Sequence, residues 1–583
     1  MTSARGLVWL EPNISSEMVS DFARQTGQTE PVSALLLRQH VKPDEVEHFL
    51  NPTLKHFFPD PSTFKDMNNA AGFLADAIQS GKSVAVLADY DVDGATSAAQ
   101  LIRYFRHFDR SLELYVPDRL KEGYGPSPHA FEVLKSQGVE IVVTVDCGAA
   151  AETALNHATD IGLDIIVVDH HLMGEDIPVC SALVNPNRPD CDSGQGHLAA
   201  AGVVFVLLVA INRHLRESGQ FTEAELPNLM HWLDLCSLGT LCDMVPLRGV
   251  NRAFVVQGLK TFAQQESAGI SALCQVSGRS TPERINDLTF GLGPQLNAGG
   301  RIGDPWLATE LLASTKFEKA LPIAEKLHGL NEARKEIEAD ILSQARLMAK
   351  QQLESKPDLP VIVVGGEGWH PGVIGIVAGR LKDEFLVPSI VIGWGDAFGD
   401  VAKGSARSVT GINIGSAIVS AREAGLLLSG GGHAMAGGLS LEPDQIGAFR
   451  AYLEAHITDL DVNAEDARTV QIDFDVLASA LSLDFLTILE KAGPYGAAAP
   501  KPLLRIKSAR VRDRRLIGTN HMKVTLDDGS ARLECVAWRS AETPLWDACA
   551  PGAEIDVIGH AERNAWRGRD SVQFEIVDCV AKN

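Results

Sequence analysis

The chain has 583 residues, enough for three to five domains and too many for one hydrophobic core. Hydrophobic residues make up 45% and charged residues 22%, which is the composition of a folded globular protein and excludes disorder over most of the length. The net charge of −23 excludes a chain that coats nucleic acid with its whole surface, so a nucleic-acid site would have to be a local basic patch or a metal site. No apolar run approaches the ~20 residues of a membrane span. The N-terminus, MTSARGLVWLEPN, lacks a secretory pattern, which leads to the expectation of a cytoplasmic protein. None of the nine cysteines forms Cys-x-x-Cys, so neither a structural zinc nor a thioredoxin-type motif is signalled, and buried free thiols are expected.

Residues 1–75 are mixed and punctuated by Pro and Phe, and are expected to pack as an N-terminal segment on the domain that follows. Ser83–Ala88 (SVAVLA) is an apolar run ending in an acidic turn, with a helix over Ala95–His107. Ile141–Val145 (IVVTV) and Ile165–Val168 (IIVV) are further apolar runs, ending at Asp146 and Asp169. Short apolar runs spaced by helices predict buried parallel strands. Helices are expected between Leu198 and Asp243. From Pro322 to Glu354, Leu327, Leu330, Ile337, Ile341, Ala345 and Met348 recur at helical spacing. Pro322 suits a first turn and Lys356-Pro357 a stop, so a long connecting helix is expected. A second α/β segment follows, with a Gly-rich stretch at Ser429–Gly438. After about residue 495, apolar and polar residues alternate in short segments with turn signals, which predicts a small β-barrel. The expected domains are 1–75, 76–305, 306–357 (the helix region), 358–460 and 461–583.

The strongest chemical signal is Asp89-Tyr90-Asp91-Val92-Asp93-Gly94, three carboxylates in five residues beyond an apolar run. Ligands of open α/β sheets bind beyond the carboxyl ends of strands. Clustered carboxylates raise one another's pKa, and a divalent cation removes that conflict. A solvated acidic turn is the bland alternative, but the device recurs at Asp146 and at Asp169-His170-His171. Asp and His with water suit Mn²⁺ or Mg²⁺. Asp243, in GTLCDMVP, reads by itself as a helix cap.

The segments DYDVDG, VDCG, VDHH and GTLCDMVPL, in this order, resemble the motifs of the DHH phosphoesterase superfamily. PQLNAGGRIGD, GSARSVTGINI, SGGGHAMAGG and the closing GRDSVQFEIVD are similar to the RecJ family of bacterial 5′→3′ single-strand DNA exonucleases. The resemblance covers about residues 70–583. It implies a parallel-sheet DHH catalytic domain (76–305) and a smaller α/β DHHA1 substrate-binding domain (358–460), joined by the long helix, with an OB-like domain (461–583). It also implies two divalent cations, Mn²⁺ or Mg²⁺. Asp146 would bridge them, Asp91 would bind one, and Asp93, His170 and Asp243 the other. Asp169 would orient its neighbours, and His171 would reach the scissile phosphate. Leu87 stands where many members carry a His, so the first ion would lean on Asp89 or water.

Arg119, Arg301 and Arg407 sit in Gly- or Ser-rich settings, where backbone can approach a phosphate and a guanidinium can grip it. The resemblance makes these three, with Ser405, candidates for holding a 5′ end. It also makes Ser429–Gly438 around His433 a phosphate-binding loop. Residues 501–583 hold 14 Lys and Arg against 12 Asp and Glu, a net of +2, whereas the rest of the chain carries −25. With Trp538, Trp546 and Trp566, that block fits single-strand binding by charge and stacking, and Trp566 is the leading stacking candidate. The expected activity is a metal-dependent exodeoxyribonuclease that releases 5′-mononucleotides in DNA recombination and repair. Alternatives are a phosphodiesterase of short oligonucleotides or cyclic dinucleotides, and an inactive nucleic-acid binder. The resemblance implies single-stranded DNA as substrate, with a single-stranded-DNA-binding protein and a helicase as partners. The chain is expected to be a monomer that does not engage membranes.

Overall fold

The structure is a computed structural model. It describes residues 3–119, 121–264, 267–395, 399–459, 468–541, 543–566 and 569–582. The chain forms two compact units, Pro52–Asp461 and a smaller one of Met1–Asn51 with Val462–Asn583.

The larger unit opens with a five-stranded parallel sheet. Its strands are β1 (Val84–Ala88), β2 (Leu112–Tyr115), β3 (Ile141–Val145), β4 (Asp164–Val168) and β5 (Ala182–Val184), in the order β2-β1-β3-β4-β5. β1 and β3 are buried throughout, because both faces are covered. Val84, Val86, Ala88, Val143 and Val145 face one core, which they share with Met67–Ser80 and with helices α1 (Val92–His107) and α2 (Ala200–Glu217). Ala85, Leu87 and Val142 face the opposite core with Phe131, Leu134 and Leu155. Leu87 is therefore a core residue, and burying such a side chain contributes about 1.5–3 kcal/mol.

Helix α3 (Leu233–Cys242) packs against α1 and α2. The 39-residue helix α4 (Phe317–Ser355) leads to a second sheet. Its start differs from expectation, since Pro322 lies inside the helix and not in its first turn. Ala320, Ala324 and Leu327 are buried along one stripe, and the packing of that stripe outweighs one missing backbone bond. The second sheet contains β6 (Ile362–Glu367), β7 (Ser389–Gly395), β8 (Gly399–Arg407), β9 (Ser429–His433) and β10 (Ala436–Leu441), in the order β9-β10-β8-β7-β6. Helix α5 (Pro371–Phe385) covers it. The Gly-rich stretch expected as a loop is the β9–β10 hairpin, in register from Ser429 with Ser440 to His433 with Ala436.

In the smaller unit, β11 (Leu504–Ile517), β12 (His521–Asp527), β13 (Arg532–Ala537), β14 (Glu554–Trp566) and β15 (Arg569–Ala581) close into a barrel, with β14 pairing β11. Register shifts at Val511/Asp513, Ile506/Ala509 and Ile558/Gly559 bend the long strands, as closure requires. Residues 1–51 belong to this unit, whereas residues 1–75 were expected to pack together on the domain that follows them. Val8–Leu10 pairs in parallel with Thr469–Gln471, Leu35 enters the barrel core, and Arg505 grips Glu11 and Asp475. Only the remainder, with Phe64, Met67 and Ala70, joins the sheet unit. Among the described residues, no helix is long and apolar enough to cross a membrane. The nine cysteines are free, and six of them are buried.

Candidate active site

The strand register determines where the acids emerge. Ala88, Val145 and Val168 lie side by side at the ends of β1, β3 and β4, and the next residues are Asp89, Asp146 and Asp169. Hydrogen bonding continues one residue beyond the strands: the amides of Asp89, Asp146 and Asp169 donate to the carbonyls of Val145, Val168 and Val184 at 3.3, 3.0 and 3.0 Å. Asp146 then turns the chain with a left-handed φ of 60°. Asp91 caps α1, accepting from the amides of Asp93 and Gly94 at 2.8 and 3.2 Å. Gly94 is required there, because a Cβ would sit 2.3 Å from the Asp89 carbonyl oxygen. Asp93 is fully buried, and its carboxylate accepts from Ala200 and Ala201 at 2.7 and 2.9 Å, at the positive N-terminus of α2. Asp243 is the C-terminal cap of α3, as its sequence suggested, and it also joins the cluster.

His170 stands at the centre. Its Nε2 lies 3.2 Å from Asp146, 3.6 Å from Asp243 and 3.8 Å from Asp93, yet has no hydrogen-bond partner despite its burial. Ligand atoms of Asp93, His170 and Asp243 lie within 4.8 Å of one another, as do those of Asp89, Asp91 and Asp146 and those of Asp146, His170 and His171. Asp146 thus belongs to two adjoining groups. Asp89 also has a buried, unpartnered oxygen.

Burial, followed by repulsion from neighbouring carboxylates, pushes Asp89 and Asp146 well above the usual carboxylate range, Asp93 to about 7 and Asp243 to about 9. Burial, reinforced by His171, lowers His170 to about 4, so it is a neutral imidazole with a free lone pair. Burial works against ionisation of Asp169 too, but the His171 hydrogen bond and charge hold it at about 2. Burial also opposes a charged His171, yet Asp169, 2.7 Å from Nδ1, raises it to about 9. The set of hard oxygen donors, one neutral imidazole and unpartnered buried atoms fits a pair of divalent cations.

Asp89, Asp91, Asp146, His171 and Asp243 line a 330 Å³ cavity that also takes in Tyr90, Arg119, Tyr124, Asn297 and Arg301. A 550 Å³ cavity adjoins it, lined by Ser405, Arg407, His433 and a glycine floor, and Tyr90, Arg119 and Tyr124 line both. Arg119 lies over the Tyr90 ring, 5.2 Å from its centroid. Arg301 donates to the Gly372 carbonyl at 3.2 Å. Burial, together with the charges of Arg119, Arg334 and Arg407, lowers Arg301 to about 10. Arg407 donates to Ser405 Oγ at 3.2 Å and to the Ala406 carbonyl at 2.8 Å. The four candidates from the sequence, Arg119, Arg301, Ser405 and Arg407, are therefore gathered at one place, with His433 at the end of the hairpin. Arg119, Arg301 and Arg407 form no ion pair among the described residues, and guanidinium groups crowded in that way suit an anion.

Sequence reasoning missed Tyr124. Its hydroxyl donates to the Asp146 carbonyl at 2.9 Å and lies 3.3 Å from His171. The available signal was Glu-Gly-Tyr-Gly-Pro, where Gly123 and Gly125 both adopt positive φ and fix the turn that presents the ring. On the barrel, Trp546 packs on the core with Arg514 stacked 4.3 Å away, while Trp538 is half exposed against His521. The side chain of Trp566 lies outside the described residues. Much of the basic run is internally paired: Lys501 with Glu562, Arg505 and Lys507 with Asp475, Arg512 with Asp527. Arg510 and Arg515 are exposed, with no ion pair among the described residues.

Three family models match: the DHH family N-terminal domain over residues 83–240, the DHHA1 domain over 358–459 and the RecJ OB domain over 472–578. The single-stranded-DNA-specific exonuclease RecJ of Bacillus subtilis (strain 168) is 33% identical over 577 residues, 98% of this chain and 70% of the relative. RecJ of Dickeya dadantii (strain 3937) is 36% identical over 521 residues, 88% of this chain and 89% of the relative. Among solved structures, RecJ of Thermus thermophilus in complex with Mn²⁺ superposes with a TM-score of 0.79 at 26% identity, covering 99% of this chain and 80% of that one. An exonuclease RecJ bound to manganese covers 69% of this chain and 98% of its own, with a TM-score of 0.58 at 30% identity.

Proposed function

The chain belongs to the RecJ family of single-stranded-DNA-specific exonucleases, and from that premise we propose that it degrades single-stranded DNA from the 5′ end, releasing 5′-mononucleotides. The observation that carries this reading is the junction of two cavities, one rich in carboxylates and one rich in guanidinium groups, with Tyr90, Arg119 and Tyr124 common to both. A terminal phosphate held in the second leaves the next phosphodiester at the first, which sets both polarity and product.

Asp91, Asp146 and Asp89 would hold one divalent cation, and Asp93, His170, Asp243 and the shared Asp146 the other, Mn²⁺ or Mg²⁺ in each case. Such ions supply Lewis-acid activation of water and of the phosphodiester when bound. The chain's own residues do the rest. His170 offers a neutral nitrogen because its burial disfavours the proton. His171, kept cationic by Asp169, offsets negative charge developing on a non-bridging phosphate oxygen. Tyr124 holds His171 against the Asp146 backbone. Arg119, Arg301 and Arg407 with Ser405 grip the terminal phosphate through fixed donors, and His433 closes the hairpin side. The barrel adds sequence-independent contacts through exposed arginines and aromatic surface, Trp566 among its candidates.

Roles in DNA recombination and repair, a single-stranded-DNA-binding protein and a helicase as partners, and a cytoplasmic, monomeric state belong to the same reading. So does the partition into a catalytic domain at 76–305, a helix region at 306–357, a substrate-binding domain at 358–460 and a barrel domain from 461. The experiment is digestion of a long, 5′-phosphorylated, 3′-labelled single strand with Mn²⁺, beside Asp146→Ala. Stepwise loss from the 5′ end, absent with chelator and in the variant, is the expected result. A long strand that is bound but survives, while dinucleotides are cleaved, would sink it.

A further inference from the structure

The 330 Å³ cavity has a chemical gap. Apart from Cys242 and Gly300, every residue lining it carries a polar or charged side chain, and its two aromatic rings, Tyr90 and Tyr124, are already engaged by Arg119 and His171. Such a lining suits phosphates and ions, but a strand also carries nucleobases, whose faces require apolar or aromatic surface. The three most exposed large apolar side chains among the described residues are Leu172, Phe290 and Met244, at 84%, 76% and 74% exposure. All three belong to segments that build this cavity. Leu172 directly follows His171. Met244 directly follows Asp243, with its backbone held at a left-handed φ of 57°. Phe290 lies in the π-helical turn Asp287–Leu292, three residues before Gly293. A Cβ on Gly293 would stand 2.8 Å from Cys242 Sγ, so this turn abuts the residue beside Asp243. Further along the same segment, Asn297, Gly300 and Arg301 line the cavity. π-Helical turns and left-handed non-glycine residues are both sparsely populated geometries that concentrate at functional sites.

We propose that Leu172, Met244 and Phe290 form an apolar rim at the mouth of the carboxylate cavity, where they hold the nucleobases flanking the bond to be cut. The assignment rests on the nuclease reading above. Bases on the rim leave only the backbone to descend among the carboxylates. Phe290 supplies the flat face for stacking, while Leu172 and Met244 supply adaptable apolar contacts that tolerate any base. The rim thus holds the strand without reading its sequence.

The test uses the full chain with Mn²⁺ and 5′-phosphorylated strands carrying one abasic residue at the first, second or third position. The wild-type protein is expected to lose about fivefold or more in kcat/KM when the missing base is one the rim holds. The combined variant Leu172→Ser, Met244→Ser, Phe290→Ser is expected to show that loss on the intact strand and to be insensitive to the abasic position. Phe290→Ser alone should lose part of it, and Phe290→Trp should keep the wild-type rate. A wild-type protein indifferent to abasic residues, or a combined variant that keeps the full wild-type penalty, overturns the rim while leaving the nuclease reading intact. Failure of the wild-type protein to degrade any strand overturns both.

Discussion

Asp89, Asp93, Asp146 and Asp243 crowd one small space and resist ionisation there, and two predictions follow from that conflict. Asp146→Asn keeps a side chain that tolerates a left-handed backbone while removing a charge from the centre of the cluster. It should raise the melting temperature of the metal-free protein, abolish stabilisation by added Mn²⁺ and lower turnover at least about a thousandfold. Paired thermal melts and rate measurements test this, and a variant still stabilised by Mn²⁺ would overturn it. The second prediction concerns pH. In the unfolded chain these carboxyls titrate near their ordinary range of about 4. In the folded, metal-free protein Asp93 is raised to about 7 and Asp243 to about 9. The native state therefore holds more protons than the unfolded state across that window, and stability falls as pH rises. Metal-free melts should drop steadily from pH 5 to 9, and saturating Mn²⁺ should flatten or reverse the trend, since ions displace those protons. A metal-free protein that becomes more stable toward pH 9 would refute this.

At the level of elements, the site depends on two glycines, one at a tight backbone approach and one on an open cavity floor. At the β1–α1 turn the neighbour of Gly94 is backbone, the Asp89 carbonyl, and it cannot move without displacing a ligand. Gly94→Ala should therefore cost several kcal/mol or prevent folding, as measured by denaturant unfolding. Gly438 lines the second cavity, and a Cβ there would meet nothing within 4 Å. Gly438→Ala should leave stability within about 0.5 kcal/mol of wild type yet raise KM for 5′-phosphorylated strands, because the methyl group occupies the hairpin floor. Equal KM values for both proteins would remove the hairpin from the substrate site. The hairpin also marks a limit of sequence reading. SGGGHAMAGG offers loop chemistry locally, and it is a strand pair only because β8 presents an edge that β10 can join.

At the scale of the whole molecule, a chain of net charge −23 must attract a polyanion through local features. The basic run of the barrel is less available than its composition suggests, since Lys501, Arg505, Lys507 and Arg512 are committed to carboxylates. Arg510 and Arg515 are the exposed residues of that run left for phosphate. Arg510→Ala with Arg515→Ala should weaken binding of a long strand, with dinucleotide cleavage unchanged. The slope of log affinity against log salt should fall by about 0.7 for each phosphate no longer neutralised. An unaltered salt slope would remove these residues from the interface. Arg505 illustrates why the surplus was misleading. Its partner Glu11 lies 494 positions away, and no local pattern links the two.

The sequence by itself determined the chemistry of this protein. Apolar runs ending in acids specify parallel strands that deliver Asp89, Asp146 and Asp169 to one edge, because a buried strand must be apolar and must stop where charge begins. Helical spacing likewise specified the long helix, and alternation specified the barrel, since both periods are local properties of the backbone. Only the tertiary structure decided what depends on distant segments meeting. It brought Asp243, a cap by local criteria, within reach of His170. It gathered Arg119, Arg301 and Arg407 from three separate segments beside the carboxylates. It gave residues 1–51 to the barrel unit, and it left Leu172, Met244 and Phe290 exposed. Burial and charge partnership are set by whichever surfaces the chain brings together, and spacing along the sequence does not encode them.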